Sequence, residues 1–487
     1  MIRAALTLLL LATCLFGPAR VSRAQEAVAG GAAARALTLP EVLEIVATTH
    51  PQLAAARQRQ RAADGDAMAA RGGFDPVLRA RGQYAPIGAF PRGTVDVELR
   101  QPTPLWGLSV YGGWRLGLGR FAVYDLRGKT ADGGEVRGGI SLPLWQGGAI
   151  DRRRADLSIA TLARTAAAAE LDARAIELER AVGRAYWAWV GAGLRLAVQR
   201  DLLKLAQDRD EALRKQIVAG GVPAVEGIDN RRAIVDRTAR IVAGERALQQ
   251  AAFELARHLR DADGEVQVPA PTRLPDAFPE SRRPVAEVSE QMIREAWARR
   301  PDLRRLALQR EAAAVELKLA RSDRSPRIDL DAYAAKDIGA VDPAYAYLRP
   351  AEFVAAVNVE LPLALRGARG KLRRAEAELA RIDAELRMAR DVVALELRDA
   401  HSALAAAHAR VALAREQLAA AHELEQAERS RFRLGDSTLL LVNLREQAAA
   451  DAAAQELEAL GEYHRAQVDL RAAAGLLGPQ EPFGSVE

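Results

Sequence analysis

The sequence has very little of the chemistry that enzymes and metalloproteins use. A single cysteine, Cys14, occurs in 487 residues, so the rest of the chain has no thiol for a disulfide or a metal. The six histidines include no pair at the i, i+4 spacing of a helical metal site. The chain also lacks a phosphate-binding loop, a dinucleotide fingerprint and a serine nucleophile elbow. The composition therefore predicts no enzyme activity, no cofactor and no metal.

Long apolar stretches are absent too. No segment beyond the N-terminal leader supplies the roughly 18 uninterrupted apolar residues of a membrane-spanning helix. Residues 1–24 combine Arg3, a short apolar run and a small-residue cleavage site, which predicts a signal peptide for Sec export. Cys14 loosely matches a lipidation box, but the preceding threonine and the short leader make a lipid anchor the less favoured alternative.

The charge balance is basic, with a net charge of +5 and a pI near 9.5. A basic chain is first tested as a nucleic-acid binder. Here arginines are interspersed with glutamate and aspartate, as in residues 378–390, and the sparse aromatics are not interleaved with them. We therefore predict solvated faces of long helices and no nucleic-acid partner.

The chain contains an internal repeat. The segment that starts at Leu39 and passes through Pro51 matches the segment that starts at Val288 and passes through Pro301, 250 residues later. After each proline a helical pattern gives way to the alternation of a two-faced strand. This predicts strand regions at about 76–143 and about 326–362.

Both strand regions end in a Leu-Pro-Leu segment with a following glycine. Because proline cannot continue a ladder and glycine permits a sharp reversal, we interpret these segments as strand-to-helix elbows. The elbows are 219 residues apart, so the strand region of the first half holds 31 extra residues. We expect these to form a long loop or an extra hairpin within Trp106 to Gly139. The elbow residues are Pro143, Gly147, Gly148, Pro362 and Gly367.

Very long helices follow the elbows. In the second half Leu372, Leu379, Leu386 and Val393 repeat every seven residues, and after a four-residue step the repeat resumes at Leu397. About 60 helical residues would reach roughly 90 Å. Each long helix then meets a glycine that predicts the tip of a helical hairpin. The tip residues are Gly220 and Gly221 in the first half and Leu434 and Gly435 in the second.

These features divide the chain after the leader into four predicted parts. The first repeat covers 25–268, with its hairpin tip near 217–226, and the second covers 287–478, with its tip near 433–442. A proline-rich linker at 269–286 joins them, and residues 479–487 form a tail.

The doubled order of opening prolines, elbows and tips resembles the TolC family of outer-membrane efflux proteins over nearly the whole chain. The resemblance implies a mainly α fold with membrane β: long antiparallel coiled-coil hairpins form an α-barrel, and four strands per subunit join a trimeric 12-stranded β-barrel. It also implies outer-membrane lipid around the barrel, a periplasmic membrane-fusion adaptor docked on the tips, and an inner-membrane transporter.

The family often carries acidic residues six and nine positions after each tip glycine, where they form a charged constriction. Glu226 and Asp229 keep this pattern, whereas Leu441 and Leu444 replace it in the second half. We therefore expect an apolar or half-charged gate.

The predicted function is a passive conduit for efflux of drugs, metals or other toxic small molecules. One alternative is an exit duct for type I protein or peptide secretion. Another, from a different class, is a periplasmic coiled-coil scaffold. The sequence leaves the substrate, the pump and the adaptor open.

Overall fold

The structure is a computed structural model that describes residues 35–122, 128–341, 343, 348 and 350–476. The predicted signal peptide with Cys14 and the predicted tail at 479–487 lie outside the described residues. Among the described helices, none combines the length and the apolar character needed to cross a membrane.

The elements follow one order in both halves of the chain: two short helices, antiparallel strands, a very long helix, a tight turn and a last helix. The first half contains α1 (Leu39–Thr49), α2 (Pro51–Arg71), β1 (Val77–Ala85), β2 (Arg92–Pro102), β3 (Ser109–Gly119), β4 (Glu135–Pro143), α3 (Arg152–Val218) and α4 (Ala224–Ala256). The second half contains α5 (Glu290–Arg299), α6 (Pro301–Ser322), β5 (Arg327–Asp337), β6 (Glu352–Glu360), α7 (Arg366–Arg433) and α8 (Leu439–Ala473).

The helices begin where the sequence places capping residues and prolines. Thr38 caps α1 by accepting a hydrogen bond from the Glu41 amide at 3.4 Å, and Ser289 caps α5 in the same way. Pro51 and Pro301 each occupy the first position of a helix. The N–H that proline lacks would have no partner within the helix at this position. The paired prolines therefore mark equivalent helix starts, as predicted.

The strands form one antiparallel sheet in the order β1-β2-β3-β4-β5-β6. The prediction of four strands per subunit is therefore wrong, because the described residues form six. The extra residues of the first half make the β2–β3 hairpin, which pairs from Arg92↔Gly119 to Pro102↔Ser109. The sequence pattern did not separate this hairpin from a long loop, because glycines interrupt the alternation of β3.

The two faces of this sheet have opposite character. The register places Leu78 opposite Leu99 and Ala80 opposite Val97, and alternation extends this apolar face across all six strands. Only its two ends carry polar residues, Gln101 and Lys336. The side chains of this face lie uncovered, with Leu78 67%, Tyr84 78%, Phe353 74% and Val357 60% exposed.

The opposite face is charged, and its side chains pair with one another. Arg137 contacts Asp96 at 2.9 Å, Arg115 contacts Glu135 at 2.6 Å, and the guanidinium of Arg100 lies 4.9 Å from the centre of the Tyr111 ring. A sheet that is apolar on one side and polar on the other is typical of a membrane barrel wall.

The two longest helices, α3 and α7, have 67 and 68 residues and span about 100 Å each. Near the sheet, α3 packs between α2 and α6, and α6 packs on α7; near the hairpin tips, α3 packs between α4 and α8, and α8 packs on α7. Every level of the subunit therefore has four helices side by side. The predicted heptad seam of α7 is buried at Ala375, Ile382, Leu386, Val393, Leu397, Ala400, Leu404, Ala407, Val411 and Ala414.

The linker between the halves packs on the middle of the helices. The Tyr463 hydroxyl donates to the Arg282 carbonyl at 2.8 Å, and the His464 ring nitrogen Nε2 lies 3.1 Å from the Pro279 carbonyl. The Trp187 and His464 rings stack with centroids 4.4 Å apart. Trp187 of α3 therefore packs against both α8 and the linker, and full burial of a large apolar side chain stabilises the fold by about 1.5–3 kcal/mol.

Candidate functional site

Both helical hairpins turn through a glycine in the left-handed region. Gly220 has φ +73° and Gly435 has φ +81°, values that favour glycine. The amide of Gly221 donates to the carbonyl five residues earlier at 2.9 Å, and the amide of Asp436 does the same at 2.9 Å. Both tips are thus Schellman motifs. The predicted turn positions are confirmed, while their role in docking stays a prediction.

Apolar side chains project from both tips, and no other segment that the structure describes covers them. Val218 is 90% exposed and Leu434 is 84% exposed. Val225 and Leu440 are also exposed, at the start of the returning helices. A cluster of uncovered apolar side chains is typical of a contact surface.

The four constriction candidates lie in the first turns of α4 and α8. Leu441 and Leu444 are three residues apart, so they share one helix face, and both are exposed. Glu226 is half-buried, and its Oε2 accepts a hydrogen bond from the Leu439 amide at 3.1 Å. A carboxylate at the N-terminus of a helix satisfies free amides there and is favoured by the helix dipole. Glu226 therefore joins the two tips within one subunit, and Asp229 follows it on α4, half-buried.

A buried ion cluster lies behind the tips and joins four helices. Glu446 of α8 is 1% exposed and Arg237 of α4 is 2% exposed. Glu446 Oε2 accepts from Arg237 Nη2 at 3.0 Å, and its Oε1 accepts from Arg429 Nη2 of α7 at 3.1 Å. Arg209 of α3 donates to the same Oε1. One carboxylate thus bridges both hairpins.

Further bonds complete this cluster. Arg237 also donates to the Leu202 carbonyl at 2.8 Å, and Arg429 pairs with Glu425 at 2.7 Å. Burial lowers the pKa of Arg237, and the Glu446 carboxylate acts against that shift. Removal of one partner from such a site leaves an uncompensated charge in the interior, which costs more than loss of a surface pair.

This buried ion cluster was not among the features predicted from the sequence. Its signal is a charge in an apolar stripe, because Leu439, Val442, Glu446 and Ala449 recur at helical spacing and all four are buried in α8. The arginines that pair with Glu446 come from three other helices, and nothing local in their sequence marks them.

The first elbow is built as the sequence predicts. Pro143 ends β4, Gly147 has φ +88°, and Asp151 caps α3 by accepting from the Arg154 amide at 2.9 Å. A Cβ on Gly148 would meet the Trp106 ring at 2.7 Å, so the β2–β3 turn packs against this elbow.

The second elbow differs from the prediction. Pro362 follows the end of β6, but Gly367 lies inside the first turn of α7 and does not make the reversal. Leu365, at φ +50°, is the residue in the left-handed region. Gly367 does not need the left-handed conformation, because the chain reverses direction before it reaches this residue.

The histidines serve structural contacts. His401 Nε2 lies 2.8 Å from the Val285 carbonyl, and His50 stacks on His258 with centroids 5.8 Å apart. Within the part of the chain that the structure describes, no three His, Cys, Asp or Glu side chains come together as a metal site.

The sheet has one apolar and one charged face, and it is continued by a layer of helices, of which α3 and α7 are each about 100 Å long. This combination is typical of a membrane channel. The chain belongs to the outer membrane efflux protein family, whose sequence profile matches residues 42–259 and 292–476. This confirms the resemblance to TolC-like channels, which are not enzymes. No curated protein sequence matches the chain.

Solved structures share the fold. CusC superposes with a TM-score of 0.63 at 16% identity, over 92% of this chain and 96% of that one. VceC from Vibrio cholerae gives 0.61 at 17% identity, over 90% and 96%. The open state of the MtrE channel from Neisseria gonorrhoeae gives 0.60 at 18% identity, over 90% and 89%. This shared fold agrees with membership of the outer membrane efflux protein family.

Proposed function

We propose that three copies of this chain form a passive conduit that carries small toxic molecules through the periplasm and the outer membrane. The observation that carries the proposal is the uncovered apolar face of the sheet, joined without a break to the long helices. Lipid is the environment in which such a face is stable. The charged opposite face then lines a water-filled lumen, and the helices extend the conduit.

The hairpin tips are the proposed docking site for a periplasmic membrane-fusion adaptor, with an inner-membrane transporter behind it. Support comes from the exposed Val218 and Leu434 beside Gly220, Gly221 and Gly435. These residues lie at the end of the helices farthest from the sheet, where a partner from the inner membrane would arrive.

The proposed gate is the set of first turns after the tips. Leu441 and Leu444 offer an apolar ring when three copies meet, and an apolar constriction closes by excluding water. Glu226 and Asp229 add charge from the first half only. Since Glu226 holds the second tip through the Leu439 amide, its loss should free that tip to move.

Conductance of the purified protein in planar bilayers tests this gate. We expect Leu441→Ala/Leu444→Ala to raise the conductance and Glu226→Ala to raise the open probability. Leu413→Ala, at an exposed position in the middle of α7, is the matched control and should change neither. Unchanged opening in both tip variants would refute the gate.

Cargo class is tested separately in a deletion strain. Hypersensitivity to dyes, detergents or metal ions, reversed by the cloned gene, supports small-molecule efflux. Normal sensitivity together with a lost secreted peptide would instead favour the secretion duct. A protein that fractionates away from outer membranes and forms no heat-modifiable oligomer would favour the scaffold.

A further inference from the structure

The width of the sheet matches the width of the helical layer. Near the sheet the subunit presents four helices side by side, α2, α3, α6 and α7. Helices pack 8–10 Å apart, so four span roughly 36 Å. Strands lie about 4.8 Å apart and tilt by about 40° in barrels, so six span roughly 37 Å, whereas four would span only about 25 Å.

The β2–β3 hairpin supplies this extra width. It lies between β1, which follows α2, and β4, which precedes α3, and α2 and α3 are direct neighbours. The hairpin is anchored at the helical end, where Gln101 Nε2 donates to the Phe74 carbonyl at 2.6 Å. The hairpin is therefore an integral part of the sheet and not a loop that lies on its surface.

Both edges of the sheet are open. Among the described residues no strand pairs with the outer edge of β1 or of β6, and the side chains of both strands are mostly exposed. Each has nine residues. In lipid an unpaired backbone N–H or C=O costs several kcal/mol, so open edges are not stable there.

The two edges also fit each other. β1 runs away from the helices and β6 runs back toward them, so β1 of one copy meets β6 of the next copy in the antiparallel sense. Antiparallel closure requires an even number of strands, and three copies of six satisfy this.

We propose, on the basis of the trimeric conduit above, that β1 of each subunit pairs with β6 of its neighbour to close an 18-stranded barrel. Its circumference is one and a half times that of the 12-stranded barrel implied by the family resemblance. The backbone diameter is roughly 36 Å. Twelve helices spaced about 9 Å apart form a ring of roughly 35 Å, so the two parts of the conduit join without a taper.

The partner of each edge is tested by crosslinking. Because Cys14 is the one cysteine of the sequence, introduced cysteines are the sole labelling sites in a Cys14→Ser background. Ala80→Cys and Val357→Cys lie on the apolar face, each three residues from the helical end of its strand. A short bis-maleimide should convert this double variant into covalent trimers and nothing larger. Trp114→Cys with Val357→Cys, which places two further strand spacings between the thiols, should stay monomeric.

The barrel size is tested by pulsed electron spin resonance. A spin label on Val357→Cys gives one distance between the three copies, and that distance grows by about 10 Å when the strands increase from 12 to 18. A deletion of residues 86–119, which removes β2, β3 and the loops before and between them, is the 12-stranded reference. We expect the full chain to give the longer distance by this amount.

The outcomes separate the two proposals. Crosslinked chains longer than trimers, or a full-chain distance that fits a 12-stranded ring, overturn the 18-stranded barrel even if the protein conducts. Should the deletion variant fail to fold, the full-chain distance is compared directly with the value expected for the ring geometry. Absence of conducting channels from the full chain would instead overturn the conduit itself.

Discussion

Glu446→Gln removes one negative charge from the buried cluster behind the hairpin tips without changing the side chain's shape. Arg237, 2% exposed, then keeps its positive charge with one carbonyl partner, that of Leu202 at 2.8 Å. Loss of one member of a buried ion pair costs about 3–5 kcal/mol. Since about 1.4 kcal/mol corresponds to a factor of ten, local opening should increase about 10²- to 10⁴-fold.

Hydrogen–deuterium exchange of the purified protein measures this opening. We expect faster exchange in the distal turns of α3, α4, α7 and α8 and unchanged exchange in the sheet, because the cluster touches only the helices near the tips. Glu456→Gln on the same helix is the matched control. Its pair with Arg415 at 3.1 Å is half exposed on the arginine side and should contribute at most about 1 kcal/mol.

Equal exchange rates in the two variants would refute the reasoning, because they would mean that the buried Glu446 cluster stabilises the helices no more than the exposed Glu456 pair does. The same variants in planar bilayers connect the cluster to function. If the cluster holds the two hairpins together, Glu446→Gln raises the open probability and Glu456→Gln does not.

Three further predictions concern stability and are read from thermal unfolding by circular dichroism. Gly435→Ala places a Cβ on a residue with φ +81° and should lower the free energy of unfolding by about 1–2 kcal/mol. Gly367→Ala changes a helical residue with free space around it and should raise the free energy of unfolding by about 0.5–1 kcal/mol. Equal effects of the two substitutions would contradict the assigned conformations. Gly193→Ala brings its Cβ to 2.4 Å from Leu274 and should cost about 1–3 kcal/mol while exposing the linker to protease. Burial lowers the pKa of His464 below 6.5, so stability should fall as the pH drops below that value, since the unfolded chain then binds more protons; His464→Gln should flatten this dependence.

The helical part of the fold was readable from the sequence because its signals are local. Pro51 and Pro301 open helices, and Gly220 and Gly435 end them. Most heptad positions of α7 are buried where the sevenfold spacing places them, although Leu372 and Leu379 are only half-buried. Each of these signals depends on neighbours within a few turns of one helix.

The elbows show where such reading fails. Gly147 takes the predicted left-handed conformation, but in the second half Leu365 takes it and Gly367 does not. Glycine permits a reversal without requiring one, so the path of the chain between β6 and α7 decides which residue turns.

The sequence by itself determined the repeated plan, the hairpin tips and the family, because periodicity, proline and glycine act on the chain locally. Only the tertiary structure decided that the described residues form six strands and that Glu446 joins Arg209, Arg237 and Arg429. Strand pairing and buried ion pairs link residues that are far apart in sequence, as in the 209 positions between Arg237 and Glu446. No local pattern encodes such a partner, so the width of the sheet and the buried ion cluster behind the tips are decided only when the helices and strands pack.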